Sequence, residues 1–520
     1  MGVELLRQVA VEREQAPTPH APREQVTWLV DNAAACEALL SLVDDARESI
    51  WISQLAFDAD CAAYVRVTDD DGDERIERTL LSALLEAAAR GVQVCLLLNE
   101  SLLLDTASPL RAHLATLGAT GHIHVRGISR FPQLLHAKLV IVDERHALML
   151  GSPFVNGYWD DCAHRPVDAR RPARELAGRP LHDLSFGVRG PAVHSLGAVL
   201  AELWNGASIG PDDEPLAMLD VPAERAPEAG QVRVARTIPG RTLPDAPDGH
   251  MEILPELLRG IRRARRFIYI EHQYLSSAAV IGAIATVLRE RPLLEVIVVL
   301  NQNPDVTAYR GWQNRRLRDA GLLDHPRVGV FALWSAEGAG DALTVSQVFV
   351  HSKVLIVDDS WASVGSANLD GVSLHSYGAD FTSRIGERVF RDVRNVDVNL
   401  VLESPKGGSL PAIRELRTML WREHLRLGVA DVAKAASGPE RWLGRWRRRA
   451  DEDAALLDGR AEWEDGRPSS TLVLPYSPRS RPRQQLEDAG VSRRDGLNLA
   501  FDPGWVQRHC SPNWVRNMFA

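Results

Sequence analysis

The stretch LLHAKLVIVD, residues 134–143, places a histidine and a lysine two positions apart in front of a short apolar run that ends on an aspartate. Side chains at positions i and i+2 of a β-strand point to the same face, so His136 and Lys138 are expected to stand side by side. Residues 139–142 would carry the strand on into an apolar interior. The stretch therefore predicts a buried strand that presents two polar groups at its start.

The same spacing occurs a second time, in FVHSKVLIVD at residues 349–358, as His351, Lys353 and Asp358. The chain's residue frequencies predict roughly 0.01 chance matches to H-x-K-x-x-x-x-D, so coincidence does not explain two copies. Both copies continue alike, with a charged turn, a short apolar strand and Gly-Ser, as DERHALMLGS and DDSWASVGS. This pattern predicts a hairpin whose return strand ends beside the histidine and the lysine.

Lysine is rare in this chain. Of its 60 basic residues only four are lysine, namely Lys138, Lys353, Lys406 and Lys434. Two of the four lie in the repeated motifs, although the chain otherwise uses arginine for positive charge. A compact ammonium group suits a tight phosphate site, so the repeated motif points to phosphate chemistry.

The doubled H-x-K-x-x-x-x-D motif with its following Gly-Ser resembles the signature of the phospholipase D superfamily. The resemblance implies an α/β fold, an α+β sandwich of two similar units. Each unit would be a mixed sheet flanked by helices, and the two would pack as a pseudo-two-fold dimer within one chain, with both motifs in one cleft. Helix and strand patterns recur outside the motifs as well. They predict an N-terminal extension (1–23), a first domain (24–206), a linker (207–230), a second domain (231–430) and a C-terminal extension (431–520).

Composition indicates which partners, location and cofactors to expect for the protein. The 520 residues carry a net charge of −9, whereas a nucleic-acid enzyme usually shows a basic surplus, so no nucleic-acid partner is expected. We expect a monomer without a signal peptide or a transmembrane segment, cytoplasmic or peripheral at a membrane; export by a signal-independent route stays open. Five cysteines without a C-x-x-C pair predict free thiols. No metal and no cofactor are predicted, and DDCAH at 160–164 is interpreted as a surface loop.

Two histidines and two lysines that converge on one cleft suit phosphodiester chemistry. One imidazole attacks phosphorus, the other protonates the leaving oxygen, and the lysines neutralise the phosphoryl oxygens. In the superfamily the nucleophile is generally the histidine of the first motif. The resemblance therefore implies that His136 forms a phosphohistidine and that His351 is the acid.

Each imidazole needs a partner that fixes its tautomer. For His136 the resemblance suggests Asp183, in RPLHDLSFGVRGPAV, and for His351 it suggests Asp380, in GSANLDGVSLHSYGADF. Glu387 is an alternative to Asp380.

The remaining candidates also follow the resemblance. Asp143 and Asp358 belong to the catalytic motifs, but their place at a turn favours a role in holding the hairpin. Ser366 and Asn368 match G-S-x-N and are expected to bind phosphate. The first copy has Phe154 where Asn is expected, so Asn156 is proposed to take over. Gln273, in YIEHQYL, is expected in the substrate cleft.

YIEHQYL, QVRVART and LWREHLRLG resemble the phospholipase D branch of the superfamily. The resemblance implies hydrolysis of a glycerophospholipid at a membrane surface to phosphatidic acid and free head group, with transphosphatidylation as a second outcome. A cardiolipin-synthase-like phosphatidyltransferase and a nuclease are alternative enzymes. An inactive lipid-binding module is the alternative from another class.

Overall fold

The computed structural model describes residues 25–64, 76–119, 121–129, 133–171, 178–207, 216, 232–302, 304, 307–338, 344–381, 384–405, 407–428, 441–457 and 470–476. The predicted N-terminal extension, Lys406 and Lys434 lie outside these residues. So do nearly all of the predicted linker and most of the predicted C-terminal extension.

The first unit contains ten strands and four helices among the described residues. Its strands are β1 (Gln25–Val30), β2 (Ser49–Ser53), β3 (Ala62–Tyr64), β4 (Ile76–Thr79), β5 (Gln93–Asn99), β6 (Ile123–Ile128), β7 (Leu139–Val142), β8 (His146–Met149), β9 (Leu181–His182) and β10 (Leu184–Arg189). Its helices are α1 (Asp31–Asp45), α2 (Leu80–Ala89), α3 (Ala107–Thr116) and α4 (Pro191–Gly206).

The second unit and the segment after it supply the remaining elements. The strands are β11 (Val232–Ile238), β12 (His250–Met251), β13 (Phe267–His272), β14 (Glu295–Leu300), β15 (Val328–Glu337), β16 (Thr344–Gln347), β17 (Phe349–Val350), β18 (Lys353–Val357), β19 (Trp361–Gly365), β20 (Asp397–Glu403) and β21 (Ser470–Pro475). The helices are α5 (Ile253–Arg262), α6 (Ala278–Glu290), α7 (Thr307–Asp319), α8 (Gly371–Leu374), α9 (Arg384–Val389), α10 (Pro411–Leu425) and α11 (Trp442–Leu457).

The two large sheets repeat one strand order. The first runs β1-β10-β8-β7-β2-β5-β6, and the second contains the same series as β11-β20-β19-β18-β13-β14-β15. In both sheets the three strands that end the series are parallel, and the others pair antiparallel. The expected architecture of two similar mixed-sheet units is therefore confirmed.

Alternation along the central strands places side chains on both faces of each sheet. In β2, Ile50 and Ile52 join the core under helices α1, α2 and α3, whereas Trp51 faces the opposite way. Trp51 joins a core that contains residues of both sheets together with α4 and α10. These two helices therefore lie between the sheets, α11 adds Leu443, Trp446 and Ala450 to the same core, and helices α1, α2, α3, α5 and α6 cover the outer faces.

A short parallel pairing joins the units directly. Strand β9 of the first unit pairs with β17 of the second, with Leu181 opposite Phe349 and His182 opposite Val350. Because β9 leads into Asp183 and β17 leads into His351, this pairing brings two predicted site residues to the boundary between the units.

The described part of the C-terminal segment packs on the second unit. Strand β21 pairs antiparallel with β15 and widens the second sheet. Helix α11 buries Trp446 against Tyr269 and Phe331, with ring centroids 5.9 and 5.3 Å apart. These residues therefore continue the second unit, while the exact domain boundaries stay a prediction.

Candidate active site

The two motif segments meet where the units touch. His136 and Ala137 donate their backbone N–H groups to the carbonyl oxygen of Val396, at 2.9 and 2.8 Å. His351 donates its backbone N–H to the carbonyl oxygen of His182 at 2.8 Å. Each motif histidine is thus fixed to the backbone of the opposite unit, and both imidazoles are buried.

Each imidazole is also held by a carboxylate from the opposite unit. His136 Nδ1 lies 2.7 Å from Asp397 Oδ1, and His351 Nδ1 lies 2.8 Å from Asp183 Oδ2. A carboxylate accepts from an N–H, so the proton of each neutral ring is on Nδ1 and the lone pair is on Nε2. The arrangement gives two equivalent histidines, each with an unprotonated ring nitrogen on the side away from its carboxylate.

Both predicted carboxylate assignments are wrong. Asp183 binds His351 and not His136, because the partners cross between the units. Asp380 binds neither histidine; its carboxylate accepts from Arg316 Nη1 at 2.8 Å and from the Gly371 backbone N–H at 2.7 Å. The alternative, Glu387, is exposed on α9.

The residue that sequence reasoning missed is Asp397. Asp183 immediately precedes β10, and Asp397 begins β20, the strand that takes the same place in the second sheet. Matching HDLSFGV to VDVNLVL between the two halves would have identified it. Asp380 was favoured because it follows the second Gly-Ser at short distance, but it lies in a 3-10 turn apart from the sheet.

The serine of each Gly-Ser pair binds the carboxylate that holds a histidine. The Ser366 hydroxyl donates to Asp397 Oδ1 at 2.7 Å, and the Ser152 hydroxyl donates to Asp183. Ser366 was expected to bind phosphate, but its hydroxyl is committed to this carboxylate and is fully buried. The Gly-Ser pairs therefore support the acid residues from behind.

The predicted amide side chains take three different positions. Asn368 is buried, and its Oδ1 has no hydrogen-bond partner among the described residues. Gln273 is buried and donates to the Tyr274 hydroxyl at 2.9 Å. Asn156 does not replace Asn368, because its Oδ1 accepts from the Ala62 backbone N–H at 2.7 Å and its Nδ2 faces Asp60.

The two lysines lie next to their histidines. Lys138 Nζ donates to the His136 carbonyl oxygen at 2.9 Å, and Lys353 Nζ donates to the His351 carbonyl oxygen. Burial, and then the positive charge of Lys353, lowers the pKa of Lys138 to about 7. An ammonium group has three donors, so each lysine can bind its own motif and a phosphoryl oxygen together.

Burial and the lysines make both imidazoles weak bases. Burial, and then Lys138, lowers the pKa of His136 to about 4, although Asp397 opposes this. Burial, and then Lys353, lowers the pKa of His351 to about 3, although Asp183 opposes this. Each histidine also responds to the lysine of the other motif, which is the signature of one shared cleft. A bound phosphodiester anion would offset the lysine charges and raise both pKa values.

Asp143 and Asp358 lie at the far ends of β7 and β18 from the histidines. The Asp143 carboxylate accepts from the backbone N–H groups of residues 47–49, at 2.8 to 3.3 Å. The Asp358 carboxylate does the same for residues 265–267, at 2.7 to 2.8 Å. Each aspartate thereby ties its hairpin turn to the start of the neighbouring strand, in agreement with the structural role favoured by the sequence.

A third imidazole lies beside the motif lysine of the second unit. His272 is buried and stands opposite Lys353 in the pairing of β13 with β18. Burial, and then the charge of Lys353, lowers the pKa of His272 to about 3, so this third imidazole is neutral.

The stretch DDCAH at 160–164 is not a surface loop. Asp160 and His164 are fully buried, and Arg171 Nη1 lies 2.5 Å from Asp160 Oδ1. Within the stretch, Cys162 is exposed and Asp161 is buried. The polar composition of the stretch was misleading because its charged groups find partners inside the fold, Asp160 in Arg171 and His164 in Glu423.

Comparison with known proteins finds a family model and several relatives that match this chain. A family model described as cardiolipin synthase, PLD-like domain, matches residues 39–153 and 257–384. Phospholipase D zeta 1 of Arabidopsis thaliana is 28% identical over 211 residues, which are 33% of this chain and 19% of that protein. Cardiolipin synthase A of Pseudomonas aeruginosa is 26% identical over 367 residues, 68% of this chain and 62% of that protein. In each of these relatives the match covers less than two thirds of the length.

A solved structure shares the fold. The phosphatidylserine synthase of Haemophilus influenzae Rd KW20 superimposes with a TM-score of 0.50 at 14% identity, over 76% of this chain and 86% of that one. With the repeated sheets and the matched segments in both halves, these comparisons show that the chain belongs to the phospholipase D superfamily. Among the described residues, no helix combines the length and the apolar character that a membrane span needs.

Proposed function

We propose that the protein is a phospholipase D that cleaves the distal phosphodiester bond of a glycerophospholipid through a phosphohistidine. The observation that carries the proposal is the reciprocal pairing of His136 with Asp397 and of His351 with Asp183 across one cleft. Two neutral imidazoles beside two lysines suit a reaction that needs a nucleophile, an acid and charge neutralisation at one phosphorus.

In the first step His136 Nε2 attacks phosphorus and the bond to the head-group oxygen breaks. His351, protonated in the complex with the anionic substrate, gives its proton to the departing oxygen. Lys138 and Lys353 neutralise the phosphoryl oxygens. In the second step His351 takes a proton from water as the water attacks phosphorus, and the bond to His136 breaks. The products are phosphatidic acid and the free head group.

The second candidate is phosphatidyl transfer to an alcohol, with the alcohol in place of water in the second step. The match to cardiolipin synthase A, which spans more of this chain than the match to phospholipase D zeta 1, favours considering it. Hydrolysis and transfer share the intermediate and the same residues, so only the identity of the second nucleophile separates them.

In the test, the purified protein is incubated with vesicles of phosphatidylcholine, phosphatidylethanolamine or phosphatidylglycerol. Single-stranded DNA is supplied as a separate substrate. Products are identified by mass spectrometry, with and without ethanol. Phosphatidic acid that gives way to phosphatidylethanol as ethanol rises supports the phospholipase. Cardiolipin from phosphatidylglycerol, without phosphatidic acid, would favour the transferase. Cleavage of DNA alone, or no reaction while both histidines are intact, would contradict the proposal.

A further inference from the structure

A second group of histidines and carboxylates lies buried between the two units, apart from the motif histidines. It consists of Asp31, His164 and His182 from the first unit and Glu423 from α10. One side-chain atom of each lies within 4.8 Å of the corresponding atoms of the others. The first three residues are at most 1% exposed.

The four side chains form a closed ring of short nitrogen–oxygen distances. His164 Nε2 lies 3.6 Å from Asp31 Oδ2 and 3.2 Å from Glu423 Oε1. His182 Nδ1 lies 3.1 Å from Asp31 Oδ1 and 3.0 Å from the same Glu423 oxygen. Each nitrogen therefore faces two carboxylates, and one Glu423 oxygen faces both nitrogens.

The other nitrogen of each imidazole is bound by a further carboxylate outside this ring. His164 Nδ1 lies 3.0 Å from Asp160 Oδ2, and His182 Nε2 lies 2.9 Å from Glu271 Oε1. A carboxylate behind the distal ring nitrogen is the arrangement that orients metal-binding histidines and makes them better ligands. In the neutral form of each imidazole, this arrangement leaves the unprotonated nitrogen facing the ring.

Hydrogen bonds satisfy this ring only in part, because His164 Nε2 is hydrogen-bonded to Glu423 Oε1 at 3.2 Å but His182 Nδ1 has no such bond. A ring N–H makes one linear hydrogen bond, but each of these nitrogens faces two oxygens. His182 Nδ1 and Asp31 Oδ2 have no hydrogen bond of acceptable geometry although both residues are buried. Buried polar atoms without partners in a group of ligand-type side chains point to a missing shared partner.

We propose that Asp31, His164, His182 and Glu423 bind one divalent transition metal ion, with zinc as the best match. A tetrahedral site with metal–ligand distances near 2.0 to 2.1 Å has ligand atoms about 3.3 Å apart. The distances from the two imidazole nitrogens to the oxygens of Asp31 and Glu423 are close to this value, at 3.0 to 3.6 Å. Two imidazoles favour zinc over magnesium and calcium, which prefer oxygen ligands. The charge of the ion also offsets the two buried carboxylates.

The position of the ion indicates a structural role. His182 lies in β9, and the Asp31 backbone N–H donates to the carbonyl oxygen of Asp183, the residue that follows β9, at 2.9 Å. Glu423 belongs to the second unit, so the ion would link the units beside the pairing of β9 with β17. The consequence for catalysis, which rests on the proposed function, is that the ion keeps Asp183 in place for His351.

The test measures metal directly, without an activity assay. The full chain is produced with added zinc, purified without chelators and analysed by elemental mass spectrometry. We expect about one zinc per chain, and X-ray absorption with four nitrogen or oxygen ligands near 2.0 Å and no sulfur. Zinc at or below background, with no rise of the Tm on adding zinc, would leave a metal-free network and overturn the proposal.

Two variants locate the ion. Glu423→Gln retains the side-chain volume and removes the charge, and His164→Ala removes an imidazole; each should lower zinc to about a tenth or less of the wild-type content. The matched control His113→Ala, on the exposed face of α3, should keep the wild-type content. Circular dichroism establishes that Glu423→Gln is folded. If folded Glu423→Gln keeps the full zinc content, the ion is bound elsewhere and the proposal is wrong. If the protein binds zinc through these residues but does not cleave phospholipids, the proposed function is refuted and the zinc site is not.

Discussion

Asp183 belongs to the first unit, yet its carboxylate lies 2.8 Å from Nδ1 of His351 in the second unit. The reciprocal contact joins His136 to Asp397. Neither unit holds both a motif histidine and the carboxylate that binds it. The reaction centre therefore exists only when the units are packed together, and the packing interface is itself a part of the active site.

The crossed pairs predict which step each aspartate supports. With a nitrophenyl phosphodiester, whose leaving group needs little acid assistance, Asp183→Asn should release a burst of nitrophenol and then turn over about 10²–10⁴-fold more slowly than wild type. Asp397→Asn should lose the burst, because its histidine is the proposed nucleophile. Stopped-flow absorbance measures both. Asp380→Asn is the control and should keep the burst and most of the turnover. The opposite assignment, with the burst lost in Asp183→Asn, would restore the uncrossed pairing.

Asp143 and Asp358 should affect stability and leave the chemistry intact. Both have left-handed backbone conformations, with φ of 50° and 55°, which asparagine tolerates well. Asp143→Asn therefore removes the charged acceptor of three backbone N–H groups with little backbone strain. We expect a loss of about 1–3 kcal/mol in the free energy of unfolding, and a similar loss for Asp358→Asn. Denaturant titration measures it. A kcat reduced a hundredfold in the folded variants would mean that these aspartates act in the reaction.

The repeat in the sequence predicted the fold well. Doubled motifs with hairpin patterns predicted β7–β8 and β18–β19, because strand alternation and turn residues are local signals. The carboxylate partners were not predicted correctly. Asp183 and His351 are 168 positions apart, and their contact depends on how the units pack. No local pattern reveals that contact. The equivalent positions of Asp183 and Asp397 in the two halves do indicate that both aspartates have the same role.

The buried cluster was missed for the same reason. DDCAH has the polar composition of a surface loop, and its histidine meets Glu423 259 positions later in the chain. A polar stretch is buried only where distant residues supply opposite charges, and spacing along the chain does not reveal them.

Binding of an oxyanion should be coupled to proton uptake. The pKa of Lys138 is lowered to about 7, so this lysine is largely neutral at pH 8.5. A bound dianion such as tungstate favours the charged form and raises that pKa, so the lysine gains a proton on binding. Titration calorimetry in two buffers of different ionisation enthalpy measures the uptake, which we expect to approach one proton per site.

Lys138→Arg provides the control for this coupling, because a guanidinium stays charged throughout. The variant should bind tungstate with little proton uptake at pH 8.5. Equal uptake in both proteins would assign the proton to another group, and no uptake in the wild type would show that Lys138 is already charged.

Brief chelation should leave the initial rate unchanged. The proposed nucleophile, acid and phosphate-binding charges are all side chains, which EDTA does not affect. Three of the four proposed zinc ligands are buried, so EDTA does not remove the ion within a short assay. The measurement compares initial rates on a soluble short-chain phospholipid with and without EDTA, which avoids effects of ions on vesicles. Immediate and complete loss, reversed by a divalent ion, would mean that a metal takes part in the reaction itself.

The final prediction separates the two histidines. If His136 attacks and His351 supplies and removes protons, His351→Asn should release up to about one equivalent of nitrophenol from a nitrophenyl phosphodiester and then stop. The first step proceeds because nitrophenolate leaves without an acid, and the second step fails because no base activates water. The stalled enzyme should carry a phosphoryl adduct on His136, which mass spectrometry of the intact protein detects. His136→Asn should show neither burst nor adduct, because no nucleophile remains. A burst in His136→Asn would exchange the two roles, and steady turnover in both variants would eliminate the two-histidine mechanism.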